Sequence, residues 1–251
     1  MSARFARSIR RAGKVSACVM VCGILMAFSA VQWILPEGAH AAANAPVAYP
    51  LALKTRWTYH LHQELAPGAH FGEEDAKLAK GNVLDTTVVS EVSGVETFGG
   101  AKYSRVESSR AGKGWLKEWY RAGAEGLLLG KSFDAETGEE TVMVPPQKLL
   151  STTLAAGELW EWKARDAPVV IRTRVVGAAE VEVPAGLFET KEVFSETTIR
   201  TQGPVIQVRQ SRWFVAGVGY VKQDTETRVD GRMMSRVVLT LERFEGVPAG
   251  R

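Results

Sequence analysis

The sequence predicts an all-β protein: about ten to twelve antiparallel strands in a curved sheet, a half-barrel or barrel built from two tandem repeats behind an N-terminal signal helix. Three observations predict it. From Arg56 onward apolar and polar residues alternate with the two-residue period of half-buried strands. Turn signals rich in glycine and proline punctuate the alternating runs, and no helical period is sustained.

The chain opens with a leader. Arg4, Arg7, Arg10, Arg11 and Lys14 precede an almost wholly apolar stretch, Val15 to Leu35, and the small-x-small exit Ala39-His40-Ala41. A basic region, an apolar region and a small-residue exit describe a secretory signal peptide cleaved after Ala41. This places residues 42–251 in the periplasm or outside the cell. The apolar stretch is also long enough to span a bilayer, so an uncleaved anchor is the alternative, and the leader is the one membrane contact expected. Cys18 and Cys22 both lie in the leader. Cleavage therefore leaves a chain with no disulfide, no thiolate metal site and no cysteine nucleophile.

Removing residues 1–41 takes away five basic side chains and one acid, which turns a net charge of +3 into −1. That balance gives no reason to expect nucleic-acid binding. The composition, 45% hydrophobic and 24% charged, excludes a disordered chain and a multi-span helical membrane protein.

The strands follow in order. Trp57, Tyr59 and Leu61 point one way, with Thr58, His60, His62 and Glu64 the other. Trp160 and Trp162 alternate with Glu161 and Lys163. Ile206, Val208 and Phe214 share one parity opposite Gln207 and Arg209, and Val237, Leu239 and Leu241 alternate with Val238, Thr240 and Glu242. Turns are expected at Ser93-Gly94, Gly99-Gly100, Thr137-Gly138, Pro184-Ala185-Gly186, Ala216-Gly217-Val218-Gly219 and Asp230-Gly231. Short helices fit at residues 73–80 and 147–154 alone.

A repeat underlies the pattern. The string from Leu51 to Tyr59 aligns with that from Leu154 to Trp162, placing Trp57 on Trp160; Trp119-Tyr120 with its following glycines aligns with Trp213-Phe214. The two offsets differ by nine residues, and the polar stretch at 66–81 is the natural insertion. The expected repeats are residues 49–144 and 145–246, with Trp57, Trp119, Trp160 and Trp213 all largely buried. Core packing is the expected role of Trp57, Trp160 and Trp213. A cleft lined for an apolar ligand would use the same residue types.

Candidate chemistry is sparse. His60 and His62, two apart on one strand, share a face and could share a metal, with His70, Glu73 and Asp75 as further donors. Because Thr58 and Glu64 belong to the same polar parity, a solvated strand face is the expected reading. Glu73-Glu74-Asp75, Glu139-Glu140 and Glu180/Glu182 could pair carboxylates, but carboxylates beside turns are ordinarily solvated. The sequence contains no Gly-x-Ser-x-Gly elbow and no His-Glu-x-x-His pair. No catalytic residue, metal or cofactor is assigned.

Tyr49-Pro50-Leu51 leading to Trp57-Thr58-Tyr59, Val183-Pro184-Ala185-Gly186-Leu187-Phe188, and the run from Trp213 to Lys222 resemble the marks of a TapB-like family of exported bacterial β proteins. The resemblance spans most of residues 49–246, although Lys54-Thr55-Arg56 stands where a glycine usually precedes the tryptophan. It implies an exported antiparallel β domain in the bacterial envelope and no catalytic residues. The architecture is also similar to the half-barrel carriers of lipoproteins, as fold analogy. The expectation is a non-enzymatic envelope protein that binds a partner protein or an apolar ligand on a curved β surface. The alternatives are a secreted hydrolase or metal-dependent enzyme using His60, His62 and nearby carboxylates, and a structural envelope module.

Overall fold

The computed structural model describes residues 49–165, 167–200 and 203–246. The leader, its cleavage site, the signal helix and both cysteines lie outside the described residues. Twelve strands form one sheet: β1 (Arg56–Leu65), β2 (Val83–Phe98), β3 (Ala101–Arg110), β4 (Lys113–Gly123), β5 (Gly126–Asp134), β6 (Glu139–Leu150), β7 (Leu159–Lys163), β8 (Val169–Val183), β9 (Gly186–Arg200), β10 (Val205–Val215), β11 (Gly219–Val229) and β12 (Arg232–Glu245). Their spatial order is 6-5-4-3-2-1-12-11-10-9-8-7, and each strand is antiparallel to its neighbours. Each half is a simple meander, and β1 and β12 join the two at the middle of the sheet.

The sheet curls into a nearly closed barrel because its inner face carries the apolar parity. Trp57, Tyr59 and Leu61 of β1 are essentially inaccessible to solvent, as are Val221 of β11 and Leu241 of β12. Burial of this face against itself, at about 25 cal/mol per Å² of apolar surface, is the driving force for closure. The interior is filled from three further directions. Tyr49 enters from the chain preceding β1 and sits 6.0 Å from Phe214 and 6.2 Å from Tyr120, ring centre to ring centre. The tip of the β8–β9 hairpin folds across the same end, where the Ala185 N–H donates to the Leu241 carbonyl at 3.0 Å. The β1–β2 connection adds Phe71 and Ala79. The core is therefore packed with side chains.

The last edge pair closes differently. β6 and β7 share no ladder. Instead the indole N–H of Trp160 donates to the Lys148 carbonyl at 2.9 Å, that of Trp162 donates to the Pro145 carbonyl at 2.9 Å, and the Arg165 N–H donates to the Val144 carbonyl at 3.0 Å. This seam replaces a row of backbone bonds with two tryptophan side chains and one backbone bond.

Several expectations need correction. Residues 147–150 are the end of β6, not a helix, because Gln147, Lys148 and Leu150 pair with Leu129, Leu128 and Leu127 of β5; covering that leucine-rich strand outweighs local propensity. The helix over 73–80 is one turn, Glu73–Ala76, which begins at Gly72 without a side-chain cap and carries a buried Asp75. Ser93-Gly94 is a β-bulge inside β2 rather than a turn. The other turns stand where expected, including Pro184-Ala185 between β8 and β9 and Ala216-Gly217-Val218 between β10 and β11, with Gly217 at φ 72° and Gly219 at φ 93°. Trp57 and Trp119 are buried, but Trp160 and Trp213 are only half-buried: at 213 the following Phe214 takes the inward position. Residues 144 and 145, the expected repeat boundary, both lie within β6.

One glycine is obligatory. Gly126 opens β5 at φ 106°, and a Cβ there would stand 1.9 Å from the Leu150 carbonyl oxygen.

Candidate functional site

The histidines and their neighbouring acids do come together, on the outer face of the sheet. β1 and β2 pair in a register that places His62 opposite Asp85. His62 Nδ1 lies 2.7 Å from an Asp85 oxygen and its Nε2 3.1 Å from a Glu64 oxygen; His60 Nε2 is 3.3 Å from the same Asp85 oxygen. Two carboxylates accepting from one ring hold the His62 pKa above its ordinary value, with the Asp85 hydrogen bond the larger cause and Glu64 the second. Asp85 is correspondingly lowered, chiefly by His62. Both nitrogens of His62 thus lie within hydrogen-bond distance of a carboxylate. No group of three or more potential ligands suited to a metal ion occurs among the described residues.

The expected acidic donors are separated from these histidines. Glu74 is engaged by Lys113 and, to a lesser degree, Lys77, which lower its pKa to about 2. Asp75 is buried against Arg110 at 2.8 Å, where the guanidinium also lies 4.8 Å over the Trp115 ring. Burial raises the Asp75 pKa and Arg110 opposes it. This cluster pins the β1–β2 connection to one end of the barrel. Glu140 lies 3.2 Å from Lys131.

The interior holds a polar group that alternation alone did not single out. Glu118 of β4 and Arg212 of β10, 2% and 4% exposed, both occupy inward positions. The Tyr120 hydroxyl donates to Glu118, and Arg212 Nε donates to Gln223 at 3.2 Å. Burial pushes the Glu118 pKa well above the carboxylate range, against the opposing influence of Tyr120 and Arg212. The Tyr59 hydroxyl donates to the Tyr220 carbonyl at 3.1 Å. These residues are enclosed by the aromatic core, out of reach of a ligand in solution. Their sequence signal was present as charges at core parity, Glu118 between Leu116 and Tyr120, and Arg212 between Val208 and Phe214.

An accessible surface with binding character lies beside the seam. An open depression of roughly 450 Å³ is lined by Leu159, Trp160 and Glu161 of β7, Arg172, Thr173 and Arg174 of β8, and Phe194 and Glu196 of β9. Leu159 is 73% exposed, unusual for a strand leucine. Arg172 is neutralised by Glu161 at 2.8 Å. Arg174 lies 5.1 Å over the Phe194 ring and makes no ion pair among the described residues. The site therefore combines an apolar floor with one guanidinium free of an ion pair, since both glutamates of the depression are already engaged, Glu161 by Arg172 and Glu196 by Arg209. The depression lies on the outer face, and sequence reasoning missed Arg174 and Phe194 because they sit on the solvent parity.

Comparison with known proteins places this half of the chain in context. A model of the DUF3108-like family matches residues 162–239, a stretch that contains the Val183–Phe188 and Trp213–Lys222 motifs but not the one around Trp57. The matching model carries the DUF3108-like description, not a TapB-like one. No curated protein matches the chain. Among solved structures, the chain is similar to a candidate lipoprotein from Parabacteroides distasonis at 14% identity and a TM-score of 0.43, with 80% of this chain and 100% of that one covered. It is also similar to a candidate exported protein with a YmcC-like fold from Bacteroides fragilis, at 14% identity and a TM-score of 0.40 over the same shares. No helix among the described residues is long and apolar enough to cross a membrane.

Proposed function

We propose that the chain is an exported, non-enzymatic envelope protein that holds an acidic, apolar group of a ligand or partner in the depression beside the β6–β7 seam. One observation carries this reading: Leu159 stands 73% exposed next to Trp160 and Phe194, under a guanidinium, Arg174, that the described residues leave without a carboxylate. The location is supported by the leader, whose basic, apolar and alanine-rich segments have the form of an export signal. The core supports an exterior site, because aromatic side chains such as Trp57, Tyr59, Tyr120, Phe214 and Tyr220 occupy the inner face of the barrel.

The test is native mass spectrometry on protein purified from an envelope fraction, wild type beside Leu159→Glu and Arg174→Glu. A bound species should accompany the wild type and fall at least tenfold in both variants. Retention of the same species by both, or a wild type that carries nothing, overturns the reading.

A further inference from the structure

The second half of the molecule leaves a strand edge open. β7 covers residues 170–174 of β8. The Gly157 N–H and the Glu158 carbonyl then bond to Val175 at 2.9 Å each. From there to Val183, β8 is paired with β9 on one side and with no strand on the other among the described residues. The bulge at Gly177 marks where this open stretch begins.

Hairpin geometry decides which groups the edge offers. The two-residue connection Pro184-Ala185 makes Val183 and Gly186 a hydrogen-bonding pair. Polar backbone groups alternate sides along an antiparallel strand. Val181 and Ala179 therefore turn their N–H and C=O groups toward β9, and Glu182, Glu180 and Ala178 turn theirs to the open edge. Val181 and Val183 bury their side chains in the core, so the stretch is held in extended form before anything binds.

The exposed face of the same stretch is acidic. Glu180 stands directly opposite Glu189 of β9, and Glu182 is two residues along. None of the three makes an ion pair among the described residues, and like charges directly opposed across strands are unfavourable. A row of donors and acceptors flanked by uncompensated carboxylates fits an extended chain with cations at alternate positions.

We propose that the edge at residues 178–182 accepts, by strand addition, an extended segment of a partner protein that carries lysine or arginine at every second position. A second copy of this chain does not suit the edge, because antiparallel self-pairing would set Glu180 and Glu182 against their own equivalents. The proposal goes beyond the function above, since it uses the backbone of β8 and not the outer depression.

Fluorescence anisotropy with a labelled hexapeptide of alternating lysine and valine tests it, using the chain expressed with its own leader. Binding should weaken at least tenfold when alternate peptide nitrogens are methylated, and as much for a glutamate-valine peptide. Glu180→Pro should have the same effect, because that N–H faces away from β9 and proline is tolerated at such an edge position. Glu180→Lys with Glu182→Lys keeps every backbone group and should also lower affinity tenfold, while Leu159→Glu should leave it unchanged. Affinity indifferent to methylation, or lost with Leu159→Glu, overturns the proposal. So does a wild-type dimer that Glu180→Pro dissociates, which would make a second copy the occupant.

Discussion

The turn of chain around Trp119 in β4 and the one around Trp213 in β10 are built alike and finished differently. Each tryptophan faces a lysine on the next strand, Lys131 or Lys222, and each is followed by a bulge and an inward aromatic, Tyr120 or Phe214. A second pair of bulges matches as well: Val92 to Gly94 in β2 and Val175 to Gly177 in β8. The finish differs because the neighbouring hairpins diverge. The β2–β3 hairpin lays Phe98 and Tyr103, stacked at 4.2 Å, over Gly130, and Lys131 sits 3.9 Å from the Trp119 ring. The β8–β9 hairpin instead folds over the barrel end, leaving Trp213 half-buried under Lys222 at 5.1 Å. We read the shared bulges as the trace of a duplication whose copies now cover different parts of one barrel. The difference teaches that a strand scaffold can be kept while hairpin direction decides what is covered.

The largest expected effect comes from cutting the molecule at its proposed repeat. Residues 49–150 and 151–246, expressed separately, should each lack a cooperative thermal transition, because each would expose the inner face that its twin covers. A half that melts cooperatively by circular dichroism would show two independent domains.

Next comes the buried pair at matching positions, Glu118 before Trp119 and Arg212 before Trp213. Leaving a buried polar partner unsatisfied costs about 1–3 kcal/mol, yet the two losses should not be equal. Burial favours the neutral acid at Glu118, so glutamine replaces it with another neutral polar group, whereas Arg212→Gln removes a buried charge together with its hydrogen bond to Gln223. Arg212→Gln should therefore lower stability in urea more than Glu118→Gln. The folded-state pKa of Glu118 lies above its unfolded value. Its contribution is fully present below the unfolded pKa and is lost as pH rises through the folded one. Glu118→Gln should flatten that decline, and an unchanged pH profile would refute the assignment.

The smallest effect separates the two tryptophans themselves. Trp119→Ala should cost about 3 kcal/mol as a large core-type truncation. Trp213→Ala should cost roughly half as much, in keeping with its partial burial. Equal losses in chemical denaturation would mean that the covering hairpin contributes nothing.

The strand count and the parity of β1, β10 and β12 were legible because one face is dry and the other wet, which writes a period of two into the sequence. Trp57, Tyr59 and Leu61 against His60 and His62 is the clearest case. The bulges were not legible: Ser93-Gly94 has the composition of a turn, and only the partner strand's demand for continuity makes it an interruption. Residues 147–150 were misread for the same reason, since their conformation is set by the leucines of β5. For the site, the solvated histidine pair followed from parity, whereas Arg174 and Phe194 lie on a wet face where the sequence carries no burial signal. Their proximity depends on register, and register is fixed by contacts remote in the chain.

The seam between β6 and β7 makes the barrel a cylinder with one soft line. Elsewhere, separating neighbouring strands breaks a full ladder, but here, among the described residues, the walls are held by two indole bonds, one backbone bond and the contacts of Lys148 with Glu158 and the Trp160 ring. Parting along that line is thus the mildest deformation available to the sheet, and it would bare two strand lips to any neighbouring chain. Pro145 and Pro146 sit on one of those lips. Neither has an N–H to donate, so that lip cannot present an unbroken row of donors, and the line along which the molecule yields is protected against its own stickiness.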